Sequence, residues 1–313
     1  MFSNRESSSG PVRSADRTHS TKNEPYSPAF TDHCTCQPTK YGRLNGPILG
    51  KGAWGIVKII ERRSDGKSFA VKKFRNRESN ETPRHYVKTI LAEYTIASLL
   101  HHPYIIETLD FIVQDGHYHQ IMEYCPTDLF TALVGRKSNI SPEKIGIWFK
   151  QVVLAVAYMH QIGVVHRDIK GENILLDAED NVKLIDFGLA DVYKTAFEST
   201  PRPSKGKSGS SPYIAPEVHL NPQSYDGRKV DSWSLGILCI TMHLGVFPWE
   251  SADSTDQNYA GYLTRKNCLD RSILNKLTPD KSSLVHRLLD PNPESRMSVA
   301  EALEHEALRN IVV

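Results

Sequence analysis

The chain has 313 residues, of which 39% are hydrophobic and 24% charged, and a net charge of +2. That composition suits a globular protein with a large core, built as one large domain or two lobes. The near-neutral charge argues against nucleic acid as a partner, and no apolar run reaches the roughly 20 residues that membrane insertion requires.

The opening "MFSNRESSSG" lacks the apolar stretch of a secretory signal. The five cysteines, Cys34, Cys36, Cys125, Cys239 and Cys268, are odd in number and irregular in spacing, so reduced thiols and a cytoplasmic location are expected. Residues 1–40 are rich in Ser, Thr, Pro and charge, without helix or strand periodicity, and are expected to form a disordered tail. "HCTCQ" at His33 to Gln37 has no second ligand pair at a zinc-like spacing, which leaves two thiols in that tail.

From Tyr41 the pattern changes. "GPILGKGAWGIVKIIERRSDGKSFAVKKF" predicts two strands around a Gly-rich turn, an "SDGK" hairpin and a third strand. "TILAEYTIASLL", Thr89 to Leu100, has helical spacing, and "HYHQIMEY" reads as a further strand. "LHH" with Pro103 is a structural connection between them. After Pro126 the chain is mainly helical. One long helix opens at Ser141-Pro142, an N-cap followed by Pro in the first turn, and stops at Gly163. "VDSWSLGILCITMHLG" and "SSLVHRLLD" are further helices.

The chemistry is concentrated in four places. Gly50, Gly52 and Gly55 fit G-x-G-x-x-G, followed by the strand-like "IVKII" rather than by a helix. A glycine hairpin can bring backbone N–H groups close to phosphates, although an ordinary flexible hairpin would carry the same glycines. Lys72 sits in "FAVKKF", among residues that favour burial, and needs an anion there; Glu93 and a phosphate are the candidates. Lys73 should face the opposite side of the strand. In "VVHRDIKGENILL", polar residues fill a loop between two apolar runs. Asp168 can accept a proton from a hydroxyl, Lys170 can neutralise phosphoryl charge, and Asn173 offers a hard oxygen to Mg2+. Asp186, in "LIDFGLA", supplies a second carboxylate. Two acids, an amide and two lysines meet the needs of phosphoryl transfer, which are positioning and charge neutralisation.

Taken together, these stretches resemble the eukaryotic protein kinase family. "GKGAWGIV", "AVKKF", Glu93, "HRDIKGEN", "DFG" at Asp186 to Gly188 and "APE" at Ala215 to Glu217 occur in the family's order. The resemblance implies an α+β, bilobal fold with a small β-rich N-lobe (41–123), a hinge (123–126) and a larger helical C-lobe (127–313). It implies ATP and Mg2+ as cofactors, with Leu49, Gly50, Gly52, Gly55, Val57, Ala70, Lys72, Met122, Glu123 and Cys125 around the nucleotide and Glu93 paired with Lys72. Asp168 would be the catalytic base, Lys170 the γ-phosphate contact, and Asn173 and Asp186 the metal ligands. Glu217 and Arg296 would form a structural ion pair. "RDIKGEN" is the serine/threonine pattern, so the implied partners are protein substrates, with room for an upstream activating kinase and a monomeric enzyme. A pseudokinase scaffold is the rival reading; it usually lacks the equivalent of Lys72, Asp168 or Asp186, and all three are present.

Finer stretches, among them "LHHPYIIETLDF", "GSSPYIAPE" and "QNYAGYL", resemble the fungal halotolerance and nitrogen-permease-reactivator kinases, which implies control of ion or nutrient transport. Asp128 and Glu172 match positions that bind a substrate arginine in basophilic kinases. Asp128 could instead cap the helix starting "LFTAL" or contact ribose, since "YCPTDLF" is one residue shorter than the usual pattern. In the activation loop, Ser210 matches the residue that contacts the catalytic Asp, and the usual phosphosite position falls near Gly206. Either Ser204 or Ser208 substitutes for it, or contacts alone hold the loop.

Overall fold

The computed structural model describes residues 40, 41, 44, 46–52, 54–135, 140–265 and 269–313. The expected tail therefore lies, except for Lys40, outside the described residues, as do Cys34, Cys36 and Cys268.

Five strands form the N-lobe sheet: β1 (Ile48–Gly52), β2 (Gly55–Glu61), β3 (Ser68–Phe74), β4 (Thr108–Gln114) and β5 (His117–Glu123). Every pair is antiparallel, in the order β1-β2-β3-β5-β4. β-branched and aromatic residues favour this pleated surface, and turn residues close it. Asp115 and Gly116 both have positive φ, as an Asp-Gly pair allows in a tight hairpin between β4 and β5. Tyr41, Ile60, Phe69, Val71, Ile112 and Ile121 form a small core on one face.

Helix α1 (Pro83–Leu99) lies between β3 and β4 and starts six residues before the expected Thr89. The Thr82 side chain accepts the His85 N–H, and Pro83 fits the first turn. Apolar periodicity is weak there, so the helix start is written in its cap instead. Ile90, Glu93, Ile96 and Ala97 are its buried residues, which places Glu93 on the inner face.

The C-lobe contains α2 (Leu129–Gly135), α3 (Pro142–Gln161), α4 (Pro216–Leu220), α5 (Gly227–Leu244), α6 (Gln257–Thr264), α7 (Arg271–Leu274), α8 (Pro279–Leu288), α9 (Val299–Glu304) and α10 (Glu306–Arg309). Helix α3 has the expected Ser141 cap and Pro142, and Gly163 follows with φ +87°. A Cβ on Gly163 would lie 1.9 Å from the Lys194 carbonyl oxygen, so the backbones there leave no room for a side chain. Most residues of α5 are buried, as expected of a helix through the middle of a core. Two small sheets interrupt the helices: β6 (Thr127–Asp128) with β8 (Ile174–Leu176) and β9 (Val182–Leu184), and β7 (Val164–Val165) with β10 (Asp191–Val192). Their short strands hold the polar loops at fixed positions on the core. Among the described residues, no helix is long and apolar enough to cross a membrane.

Glu217 and Arg296 pair as expected. The Arg296 side chain has no solvent exposure and donates to both Glu217 oxygens at 2.6 and 2.8 Å. Removing one partner strands the other charge, so Glu217→Ala should cost about 3 kcal/mol or more in urea unfolding. His243 should add a pH dependence. Its Nδ1 lies 2.9 Å from the Cys239 carbonyl, and its buried Nε2 has no partner. Burial lowers its pKa to about 4, against a small opposing effect from that carbonyl. Between pH ~6.5 and ~4 the unfolded chain therefore binds more protons, and stability falls as pH falls. Thermal unfolding at pH 7 and 4.5 should show a loss of roughly 2 kcal/mol that His243→Leu removes.

Candidate active site

A cleft of about 550 Å³ lies where the two lobes meet. Leu49, Gly50, Gly52, Gly55, Val57, Ala70, Lys72, Glu93, Met122, Glu123, Cys125, Asp128, Glu172 and Asp186 all line it. Fourteen sites chosen from sequence thus converge on one cavity. Trp54, Ile106, Gln120, Phe130, Leu175 and Ile185 also line it and were not anticipated, because apolar and amide residues carry no chemical signature in sequence.

The glycines of the β1–β2 turn divide by function. A Cβ on Gly50 or Gly52 would meet nothing within 4 Å, so their backbone is open to a ligand. Gly55 has φ +153°, and a Cβ there would sit 2.1 Å from the Lys73 carbonyl oxygen. Its glycine is required by strand β3. At the hinge, the Glu123 carboxylate accepts the Glu107 N–H at 2.8 Å and pairs with Lys183 at 3.0 Å. Burial pushes the Cys125 thiol up to about 12, with the Glu123 charge adding to the effect, so it stays protonated.

Lys72 lies on β3, and its ammonium is 2.5 Å from Glu93 and 3.5 Å from Asp186. Burial disfavours the ammonium, but Glu93 and then Asp186 outweigh it and raise the Lys72 pKa. Burial likewise penalises the Asp186 carboxylate. The Lys72 charge, His166 and the Gly188 N–H reverse the sign and hold it below its ordinary value. The site therefore presents a fixed ammonium beside a fixed, partly exposed carboxylate.

The polar loop after β7 holds the second cluster. Lys170 Nζ donates to Asp168 Oδ2 at 2.8 Å and to Ser210 Oγ at 2.6 Å, while Ser210 Oγ donates to Asp168 Oδ1 at 2.9 Å. The Asn173 amide donates to the Asp168 carbonyl at 2.8 Å and to its Oδ2 at 3.0 Å, which turns the amide nitrogen inward. Ser210 is thus a contact of Asp168, as its position implies. The loop rests on Asp231 at the start of α5. Its oxygens accept the His166 and Arg167 N–H groups at 2.9 and 2.7 Å, and His160 Nε2 lies 2.8 Å away. Sequence reasoning missed this role; an acid inside an otherwise apolar helix is the signal that could have revealed it.

At two sites that the sequence left open, the neighbours favour one alternative. Ser204 is 1% exposed, bridges backbone to backbone with Tyr225, and directs its hydroxyl to Asp191 at 3.2 Å. A buried, paired hydroxyl is closed to a modifying enzyme in this arrangement. Ser208 remains half-buried. Asp128 uses both oxygens on Thr131, whose N–H and hydroxyl lie 2.7 Å away, so it caps α2. Arg167, just before Asp168, is engaged by protein acceptors. Its Nε donates to the Leu189 carbonyl at 2.7 Å, and Nη1 donates to the Lys205 carbonyl at 2.9 Å and the Tyr225 hydroxyl at 3.3 Å.

The donor set suits a hard divalent cation. The Asp186 carboxylate is 34% exposed toward the cleft, and the amide oxygen of Asn173 is not used by the contacts that fix its nitrogen. No cluster of three His, Cys, Asp or Glu ligands occurs among the described residues, and water or phosphate oxygens could complete the coordination.

The Protein kinase domain family matches residues 44–308. The chain is 41% identical over 254 residues to Serine/threonine-protein kinase oca2 of Schizosaccharomyces pombe, covering 80% of this chain and 38% of that protein. It is 41% identical over 252 residues to the Nitrogen permease reactivator protein of Saccharomyces cerevisiae, covering 80% of this chain and 32% of that protein. It is 38% identical over 289 residues to Serine/threonine-protein kinase HAL4/SAT4 of Saccharomyces cerevisiae, covering 88% and 47%. The chain therefore spans less than half the length of each of these relatives.

Asp231→Asn should cost about 2–3 kcal/mol, because an amide cannot accept all the N–H groups that meet there. Hydrogen exchange at the His166 and Arg167 amides should accelerate at least tenfold, readable by mass spectrometry.

Proposed function

The chain belongs to the protein kinase domain family, and on that premise we propose that it is a serine/threonine protein kinase acting with MgATP. The observation that carries this reading is the intact sequence of contacts from Glu93 through Lys72 to Asp186, set beside the Asp168–Lys170–Ser210 cluster.

The roles follow from what each group can do. The open backbone at Gly50 and Gly52 admits phosphates, and Lys72 neutralises their charge while Glu93 fixes its ammonium. Asp186 and Asn173 would hold Mg2+, which supplies charge neutralisation when bound. Asp168 accepts the proton of the substrate hydroxyl, with its carboxylate oriented by Ser210 and Asn173. Lys170 lies next to that carboxylate and balances charge on the transferred phosphoryl group. Val57, Ala70 and Met122 give the adenine an apolar slot, and the hinge backbone between Glu123 and Cys125 offers it hydrogen bonds.

We extend four finer readings to this chain. Glu172 is exposed at the edge of the cleft and favours a basic residue near the target hydroxyl, without help from Asp128. Control of ion or nutrient transport is the field of action suggested by relatives such as the Nitrogen permease reactivator protein. Loop order is supplied by Arg167 and its carbonyl partners, so an upstream activating kinase is not required for activity. The unpaired thiols Cys125 and Cys239 suit the cytoplasm.

Protein treated with phosphatase should transfer phosphate from MgATP to a Ser/Thr peptide library, with Arg favoured three residues before the hydroxyl. Asp186→Asn should abolish transfer, and Glu172→Ala should reduce the Arg preference about tenfold, as loss of one charged hydrogen-bond partner would. Transfer that appears only after pretreatment with an activating kinase would refute the phosphate-independent loop.

A further inference from the structure

We propose that Arg75 is a positioning residue that ties the glycine-rich turn to helix α1, with Trp54 as the group it acts on. This rests on the ATP-dependent reading above.

Arg75 is the first residue after β3, and its contacts run three ways. Its N–H donates to the Trp54 carbonyl at 3.0 Å. Its guanidinium meets Glu81, just before the α1 cap, through two hydrogen bonds of 2.7 Å each. The guanidinium carbon also lies 5.6 Å from the Trp54 ring centroid and 5.8 Å from that of Tyr86. Tyr86, in the first turn of α1, donates its hydroxyl to the Arg75 carbonyl at 2.5 Å. The side chains of Arg75 and Glu81 are only 23% and 15% exposed, so this is no loose surface pair. A planar fork that pairs in its plane and stacks on its faces can hold all three elements at once, whereas a lysine cannot.

What Arg75 holds is part of the cleft. Trp54 sits at the tip of the β1–β2 turn and lines the cavity. A Cβ built on Gly188 would be 3.4 Å from the Trp54 indole nitrogen and 3.2 Å from Glu93 Oε2. The indole therefore spans from the turn to the Asp186–Gly188 segment, beside the helix that carries Glu93. The backbone of Gly50 and Gly52 has no side chains to brace it, so the tip sets how closely the turn covers phosphates. The inner end of α1 has its own restraints, the Lys72–Glu93 pair and the tilted ring contact of Tyr94 with Phe111 at 4.6 Å. Loss of Arg75 should accordingly loosen nucleotide binding more than the chemical step.

The test uses the full chain as wild type, Arg75→Ala, Arg75→Lys, Trp54→Leu and the Arg75→Ala/Trp54→Leu double variant. Tryptophan fluorescence is titrated with MgATP, and kcat and KM are measured with a Ser/Thr peptide. Trp148, Trp233 and Trp249 are buried in the C-lobe core, so a nucleotide response reports Trp54. Arg75→Ala should raise the fluorescence Kd and the KM for ATP about tenfold and change kcat less than threefold. Arg75→Lys should not restore either value; by the KM for ATP, since both lack the fluorescent reporter, Trp54→Leu should match Arg75→Ala and the double variant should add nothing. An Arg75→Ala protein with KM and Kd within twofold of wild type, whatever its melting temperature, overturns the proposal. So does a double variant whose effect is the product of the two single effects. A wild-type chain with neither fluorescence response nor transfer overturns the kinase reading and this inference with it.

Discussion

The Asp231 carboxylate, wholly buried at the start of α5, accepts two consecutive backbone N–H groups from the loop that carries Asp168. Arg167 has φ +66°, a left-handed conformation that a bulky side chain does not adopt unaided. The two hydrogen bonds fix that conformation, and the turn it makes aims the following residue, Asp168, at Lys170 and Ser210. Asp186, at φ +64°, is held in the same region by Lys72 and the Gly188 N–H. Both carboxylates at the centre of the proposed chemistry thus follow from local backbone strain, borne by a core helix in one case and by an ion pair in the other.

The lobes contribute different kinds of rigidity. The C-lobe core surrounds α5 and fixes the polar loops through short strands and buried acceptors. The N-lobe core is small, and charge pairs tie its elements together: Lys72 with Glu93 in the cleft, and Arg75 with Glu81 between the end of β3 and the start of α1. The glycine-rich turn, with open space beside Gly50 and Gly52, is a wall of the cleft that carries no such tie of its own at those glycines, which suits the proposed entry and release of a nucleotide.

Much of the site was legible because its chemistry needs particular residue types at particular spacings. Lys72 shares an apolar strand with nothing to neutralise it, and its partner had to be an acid such as Glu93. The helix start at Pro83 was less visible, since only Thr82 and Pro83 mark it. Asp128 and Ser204 were ambiguous for a physical reason: a carboxylate that caps a helix and one that binds arginine look the same in sequence, as do a buried hydroxyl and an exposed one. Only their neighbours, Thr131 in one case and Asp191 with Tyr225 in the other, decide. Trp54 and Asp231 act through distant partners, Gly188 and the His166–Arg167 amides, which no local pattern records.

The division among the three glycines of the turn has a genetic consequence. A side chain at Gly55 collides with the backbone of β3, so a variant there would be cleared as misfolded protein and behave as a simple loss of dose. A small side chain at Gly50 or Gly52 meets no protein atom. On the proposed kinase reading, such a chain would fold and accumulate with its cover over the phosphates disturbed, and so would compete with the normal copy for substrate. On that reading one motif would hold both recessive and dominant lesions, separated by three residues.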